Sequence, residues 1–461
     1  MNHSPWLKQL NSKRKYVRLT GKARAEAVIV GAGIAGITTA YYLLTKTDKQ
    51  VIILEADRLA HGATGHNAGQ VTSYLERPFV QLVEDFGLKL ACEGVASIEH
   101  AWNLLEEILE ETSLPVPFYH CHGYAGYSTL EQLLLRLDEE SLRRKGGLAA
   151  REWLIIDDPA ILLRIPDDLL AFCRIVSRQD IKDVLETDSD LYIAAKASRK
   201  GCLNSALFCE QLVSWFDHHY PNRFALFEKT PVNSVDLSHN EAICQTDQGE
   251  VIAERVILCT NGFENIKLKN HDGLDIDGRF HEKLYGTIGY MAGYHTKENR
   301  PPAALSYFEE KSQEALDPYI YLTRRPTDYK EPGARGENLV CLGGPEVSLG
   351  EKTSYNRHEH GYPEWAAKEI DEFMKRTYRN YPKDMDFDYI WHGLMGYTVN
   401  GVRLVGFEPC NHRLLYNLGC NGVGILPSIF GAERISKLIK GEVLPISIFD
   451  PQDQRCLLPE T

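Results

Sequence analysis

None of the eleven cysteines stands in a CxxC pair, so neither a disulfide framework nor a zinc ribbon is expected, and reduced thiols in a cytoplasmic compartment fit best. Excess positive charge is also missing. A formal net charge of -13 argues against nucleic acid as a partner, because phosphate binding draws on a basic surface. No internal repeat and no low-complexity linker divides the 461 residues, a length that suggests two or three domains at roughly 100 to 200 residues each. The start of the chain has no apolar signal core. Residues 1–24 instead carry seven Lys or Arg and no acid, which reads as a basic arm packing on the body or on a neighbour. A membrane-surface role for it is less expected, since only Trp6, Leu7, Leu10 and residues 17–19 could enter a lipid interface. Phe118-Tyr119-His120-Cys121-His122 invites a metal reading, but neighbours in a strand point to opposite faces, so no metal site is expected.

What is present is concentrated in residues 25–55. The apolar run Ala27-Val28-Ile29-Val30 leads directly into Gly31-Ala32-Gly33-Ile34-Ala35-Gly36. Ile34, Ile37, Tyr41 and Leu44 follow at helical spacing, and a second run, Val51-Ile52-Ile53-Leu54, ends at Glu55. This pattern predicts a dinucleotide-binding βαβ unit. Gly31 makes the tight turn, Gly33 lets backbone approach a pyrophosphate, and Gly36 lets helix pack on strand. The helix N-terminus, with Ile34 and Ala35, offers N–H groups to phosphate, and Glu55 can accept ribose hydroxyls.

Directly after Glu55, Ala56 opens a second loop of small residues: Gly62, Ala63, Thr64, Gly65, His66, Asn67, Ala68, Gly69 and Gln70. This loop resembles that of the amine-oxidising FAD proteins related to D-amino-acid oxidase, glycine oxidase and sarcosine oxidase, and most closely that of γ-glutamylputrescine oxidase-like proteins, where it wraps the pyrophosphate. The resemblance implies an α/β fold: a glutathione-reductase-type FAD-binding Rossmann domain interleaved with an antiparallel-sheet α+β substrate domain. It assigns 25–112, 196–275 and 385–445 to FAD binding, 113–195 and 276–384 to the substrate domain, and 446–461 to a tail. It further implies cofactor contacts from Val232, from the Cys259-Thr260-Asn261-Gly262 turn, and from two C-terminal loops holding Trp391 and Gly396, then Gly419, Asn421, Gly422, Val423, Gly424 and Ile425. Gly393 stands where monomeric sarcosine oxidases tether FAD by cysteine, and Leu426 where they hold a substrate carboxylate by lysine. A cysteinyl link and a small N-methyl amino acid substrate are therefore not expected. His66 coincides with the histidine that dimethylglycine and sarcosine dehydrogenases couple to FAD, but its flanks Gly65 and Asn67 differ from theirs, so a histidine that only hydrogen-bonds the cofactor is expected over a covalent link.

Amine oxidation needs a neutral amine, an α C–H over the flavin and stabilisation of the reduced cofactor; the cofactor carries the redox chemistry. An aromatic pocket disfavours the ammonium form by desolvation. Tyr290, Tyr321, Trp391 and Tyr397 are the candidates to line it, with Arg324 or Arg325 to hold a carboxylate. The function implied is an FAD-dependent oxidase turning a primary or secondary amine (amino acid, polyamine or γ-glutamyl amine type) into an imine with dioxygen as acceptor. A dehydrogenase feeding a quinone or carrier protein is the alternative, and a non-catalytic flavin-bearing scaffold the reading from another class. The partner expected is a small amine; no transmembrane segment is expected, and a homo-oligomer is allowed.

Overall fold

The computed structural model describes residues 4–452 apart from 12, 262–264, 310–318, 328–336, 350–354, 357, 383 and 385. Its centre is the strand Gly21–Val30, flanked by Val51–Leu54 and Gly249–Leu258 and parallel to both, with Val28 opposite Ile52 and Val256. Parallel strands are buried on both faces, which is why these runs are continuously apolar. Ile29, Ile53 and Ile257 face the cluster formed by the helices Ile34–Lys46 and Ile425–Ile439, while Val28, Val30 and Leu258 belong to a second cluster. Val232–Leu237 and Ala242–Thr246 make an antiparallel excursion that returns through Gly249–Leu258, and Asn411–Leu418 joins that strand in parallel. With Phe224–Phe227, Lys267–Asn270 and Leu404–Glu408 they form, among the described residues, a sheet of nine strands.

A second sheet of eleven strands stands against the first. In it Leu284–Thr296 runs antiparallel to both Tyr389–Thr398 and Asn338–Ser348, and Tyr319–Pro326 follows. Side chains alternate across a strand. Ala292, Tyr294, Leu322 and Leu342 therefore pack beneath Ile370, Phe373 and Met374 of the helix Glu364–Thr377, while Met291, Cys341 and Trp391 turn into the core shared with the first sheet. This mixed α/β architecture, two sheets with the chain passing repeatedly between them, matches the expected fold class.

Three expectations change in detail. The strand Tyr389–Thr398 is a member of the second sheet, so the range 385–445 does not lie wholly on the nucleotide side. Gln70–Val71 and Lys200–Leu203 are likewise strands of the second sheet, although they fall in ranges assigned to the first. Nine cysteines are free, but Cys410 is disulfide-bonded, against the expectation of reduced thiols. The basic arm ends inside the first strand, and its Trp6 is 1% exposed. Its indole N–H donates to the Asn67 carbonyl at 2.5 Å, so Trp6 is a wedge under the 62–70 loop and is not available to a lipid surface. Among the described residues no helix is long and apolar enough to cross a membrane, and no cluster has metal-ligand composition.

Candidate functional site

A cavity of about 330 Å³ is lined by residues of both sheets. One wall is the glycine turn. Gly31 has φ +103°, and a Cβ there would lie 2.8 Å from the Cys259 carbonyl; a Cβ on Gly36 would lie 1.9 Å from the Gly31 carbonyl. Only glycine permits that conformation and that approach. Glu55 braces the turn, accepting from the Ala32 N–H at 2.7 Å and the Asp57 N–H at 2.9 Å. Thr64 Oγ1 accepts the Ile34 N–H at 2.9 Å, which ties the second loop to the helix N-terminus. Its carbonyl in turn takes hydrogen bonds from Asn67 and Ser205.

Of the residues singled out for the cofactor, Gly31, Gly33, Ile34, Ala35, Glu55, Ala56, Gly62, Ala63, Thr64, His66, Asn67, Ala68, Gln70, Val232, Cys259, Thr260, Asn261, Gly422, Val423, Gly424 and Ile425 line this cavity. Others stand behind it. Gly36 packs as described, Gly69 has φ +69° and would meet Trp6 at 2.7 Å, and a Cβ on Gly396 would reach 1.8 Å from the Asn261 carbonyl. Asn421 accepts the Thr398 N–H at 2.8 Å, and Gly419 turns the chain at φ +83°. Gly262 lies outside the described residues.

The opposite wall comes from strand register. Gly289 pairs with Glu346 on one side and Gly393 on the other, and Tyr321 lies opposite Gly343. The Tyr321 ring crosses Gly343, where a Cβ would come within 2.6 Å of its hydroxyl, and reaches Met291. Gly393 lets His66 close in, since a Cβ there would be 2.8 Å from the His66 carbonyl.

Four of the five residues expected to act on substrate are elsewhere. Tyr290 alternates with Gly289 and Met291 and so faces outward, where its hydroxyl meets His360 Nε2 at 2.9 Å. Arg324 is on that outer face too, in a fork with both Glu186 oxygens at 2.7 and 2.8 Å. Arg325 faces inward but lies 4.8 Å from the Trp6 ring and donates to Gln9. Trp391 is wholly buried, its N–H lacking an acceptor among the described residues. Only Tyr321 lines the cavity, whereas Tyr397 stands behind it, its hydroxyl donating to Glu76 at 3.4 Å.

Several lining residues were not foreseen: Thr72, Tyr74, Glu76, Met291, Glu346 and Arg403. The Glu346 side chain is exposed to the cavity it lines, and the surrounding protein, then the neighbouring Glu76, pushes its carboxyl up to about 8. Burial brings His66 down to about 4 against the pull of its Gly62 carbonyl bond, so this imidazole is neutral at physiological pH. The Arg403 guanidinium is buried and lowered by that burial to about 10; it bonds the Asn417 side chain and carbonyl and has no carboxylate partner among the described residues. Nothing local in the sequence marks Glu346 or Arg403, because each reaches the cavity by pairing with a distant segment.

Comparison with known proteins gives a consistent picture. The family model described as FAD dependent oxidoreductase (DAO) matches residues 26–438. The OrdL oxidoreductase of Haemophilus influenzae is 23% identical over 273 residues, 58% of this chain and 56% of that one. Human mitochondrial dimethylglycine dehydrogenase is 33% identical over 136 residues, 29% of this chain and 14% of that protein. The chain spans between 6% and 56% of the lengths of the curated relatives it matches. The crystal structure of glycine oxidase from Geobacillus kaustophilus superposes with a TM-score of 0.66 at 15% identity, covering 93% of this chain and 98% of that one, a likeness of fold.

Proposed function

Because the chain belongs to the FAD-dependent oxidoreductase family, we propose that the cavity between its sheets holds FAD and that the protein oxidises the C–N bond of a primary or secondary amine to an imine, with dioxygen as acceptor. The residues present fit the cofactor. A backbone cradle that a Cβ would fill surrounds Gly31, and the Thr260 hydroxyl is buried at the wall without a partner among the described residues. Arg403 is a buried cation without a carboxylate partner among the described residues, and an anionic pyrophosphate would supply the counter-charge. In this reading Glu55 takes ribose hydroxyls, Val232 meets adenine, the loop 62–70 covers the phosphates, and the N-terminus of Ile425–Ile439 offers its N–H groups to the end of the cofactor that gains negative charge. Bound FAD supplies the two-electron acceptor.

The chain itself must admit the amine, strip its water and remove its proton. Glu346 is the group for the last task. A carboxyl at about 8 is far closer to an alkylammonium than an ordinary glutamate, and a base works best when its pKa approaches that of the proton donor. Tyr321 and Met291 make the remaining surface apolar and favour the neutral amine. The amine loses two electrons and two protons, and water then hydrolyses the imine. The observation that carries the proposal is that one cavity joins the Gly31–Ile34 turn to this carboxyl. Adding amines, diamines, γ-glutamyl amines and N-methyl amino acids to the yellow protein without air tests it. Bleaching of the visible flavin band by one of them is the expected result, with colour returning rapidly in air. Slow return would make the protein a dehydrogenase, and absence of bleaching by any amine would leave the scaffold reading.

A further inference from the structure

A second cavity, of about 370 Å³, shares Thr72, Tyr74 and Glu76 with the first. Seven cationic side chains line it against three carboxylates. Five of the seven are neutralised: Arg77 by Asp85, Arg199 by Glu106, Arg136 by Glu139, and Arg143 with Arg151 by Glu99. Lys196 and Lys200 have no ion pair among the described residues. The Lys196 ammonium faces the rings of Trp153 and Tyr127, at 5.5 and 5.9 Å. Lys200 is 4% exposed; it donates to the neutral Gln70 amide at 2.7 Å and lies 5.0 Å from the Tyr74 ring. Burial, with Arg151 and Arg136 close by, holds Lys196 well below the ordinary lysine value. A buried ammonium group without a carboxylate is costly, and of the two nearby acids Glu76 lines both cavities whereas Glu346 lines only the first.

We infer that the second cavity receives an anionic group, carboxylate or phosphate, carried on a short tether by the amine whose nitrogen lies at Glu346. Lys196 and Lys200 supply its counter-charges, taking the place that Arg324 and Arg325 cannot fill. This rests on the amine reading above. Its size falls within the usual range of about 300 to 1,000 Å³ for small-molecule sites, and the shared wall sets nitrogen and anion in adjoining compartments. The substrate class is thus an amino acid or amine phosphate whose charges are separated by several bonds.

Calorimetric titration of the FAD-loaded protein with glutarate, and separately with inorganic phosphate, tests the anion site without turnover. Binding by wild type, weakened about tenfold or more in Lys196→Met with FAD retained, is expected for one charge-assisted contact; the tighter probe names the group. No binding of either probe, or equal binding by the variant, overturns the inference. A measurement on wild type alone guards against a variant that does not fold: 4-aminobutanoate should reduce the flavin with an apparent Kd about tenfold below that of its methyl ester, and equal values again overturn it. If glutarate binding depends on Lys196 while no amine bleaches the flavin, the anion site stands and the amine reading falls.

Discussion

The two walls of the main cavity are made by opposite means. On the nucleotide side the wall is backbone, drawn from two neighbouring stretches, 31–36 and 55–70, in which a Cβ added at Gly31, Gly36 or Gly65 would lie 1.9 to 2.8 Å from a main-chain oxygen. On the substrate side it is side chain, and its members Met291, Tyr321 and Glu346 are brought together by antiparallel register. A backbone wall cannot absorb an added carbon, because main chain on both sides is fixed by strand and helix. A side-chain wall can, because a methionine or glutamate changes rotamer at a cost of order 1 kcal/mol.

That contrast is sharpest in glycine substitutions. Gly36→Val should give the largest effect: its Cβ would stand 1.9 Å from the Gly31 carbonyl, an overlap with fixed main chain whose cost lies well beyond the roughly 1 to 3 kcal/mol of ordinary overpacking. The expected protein carries no yellow colour and melts far below wild type by calorimetry. At the other wall Gly289→Ala would meet the flexible end of Met395 at 3.1 Å, and a shift under about 1 kcal/mol with FAD retained is expected. Equal damage from both would erase the distinction.

Next in size is Arg324→Met. It takes from Glu186 its two-pronged partner and leaves Arg300 at 3.5 Å; the Glu186 carboxyl, although burial opposes it, is held below its ordinary value chiefly by the Arg324 fork. Breaking one side of such a pair costs about 3 to 5 kcal/mol, read as a lower melting temperature, and the double variant with Glu186→Gln should recover part of it. Amine affinity should be untouched, and a change in it would return Arg324 to the site. Glu346→Gln comes third, with an expected loss of about 10² in the flavin reduction rate. In wild type that rate should fall as pH drops below about 8, where Glu346 takes up its proton; the variant should lack that limb. The same group sets a stability trend. Its value is raised on folding from 4.5, so the wild type loses stability as pH climbs from 4.5 towards 8, and the variant does not.

The smallest effect expected on the site itself comes through the loop. Trp6→Ala removes a large buried side chain at a cost of about 3 to 5 kcal/mol to the region it wedges, but its contact with the cavity is indirect through Asn67. FAD affinity should therefore weaken by only about tenfold, measured by fluorescence titration.

The nucleotide wall was legible because its function is local. The Gly31–Gly36 turn, Glu55 and the 62–70 loop must carry small residues at fixed spacing to allow positive φ and close approach, and that requirement is written in consecutive letters. The C-terminal segment 422–425 was legible for the same reason. Two adjacent arginines could be seen to point opposite ways, yet the sequence held no sign that Arg324 would find Glu186, 138 residues away, or that Arg325 would be covered by Trp6. Both are buried. Trp391 shows the same limit, since alternation puts it on the inward face with Gly393 but cannot say where along the strand the cavity stops.

By itself, then, the sequence determined the α/β class, the βαβ turn, the FAD-type second loop and the identity of the family. Tertiary structure alone decided which side chains complete the site: Glu346 and Met291 through strand register, Arg403 through its Asn417 pairing, and the two unneutralised lysines of the adjoining cavity. The physical reason is range. Backbone geometry is fixed by a residue and its neighbours, whereas the charge and burial that give a carboxyl or a lysine its chemistry are set by whatever the fold places opposite it.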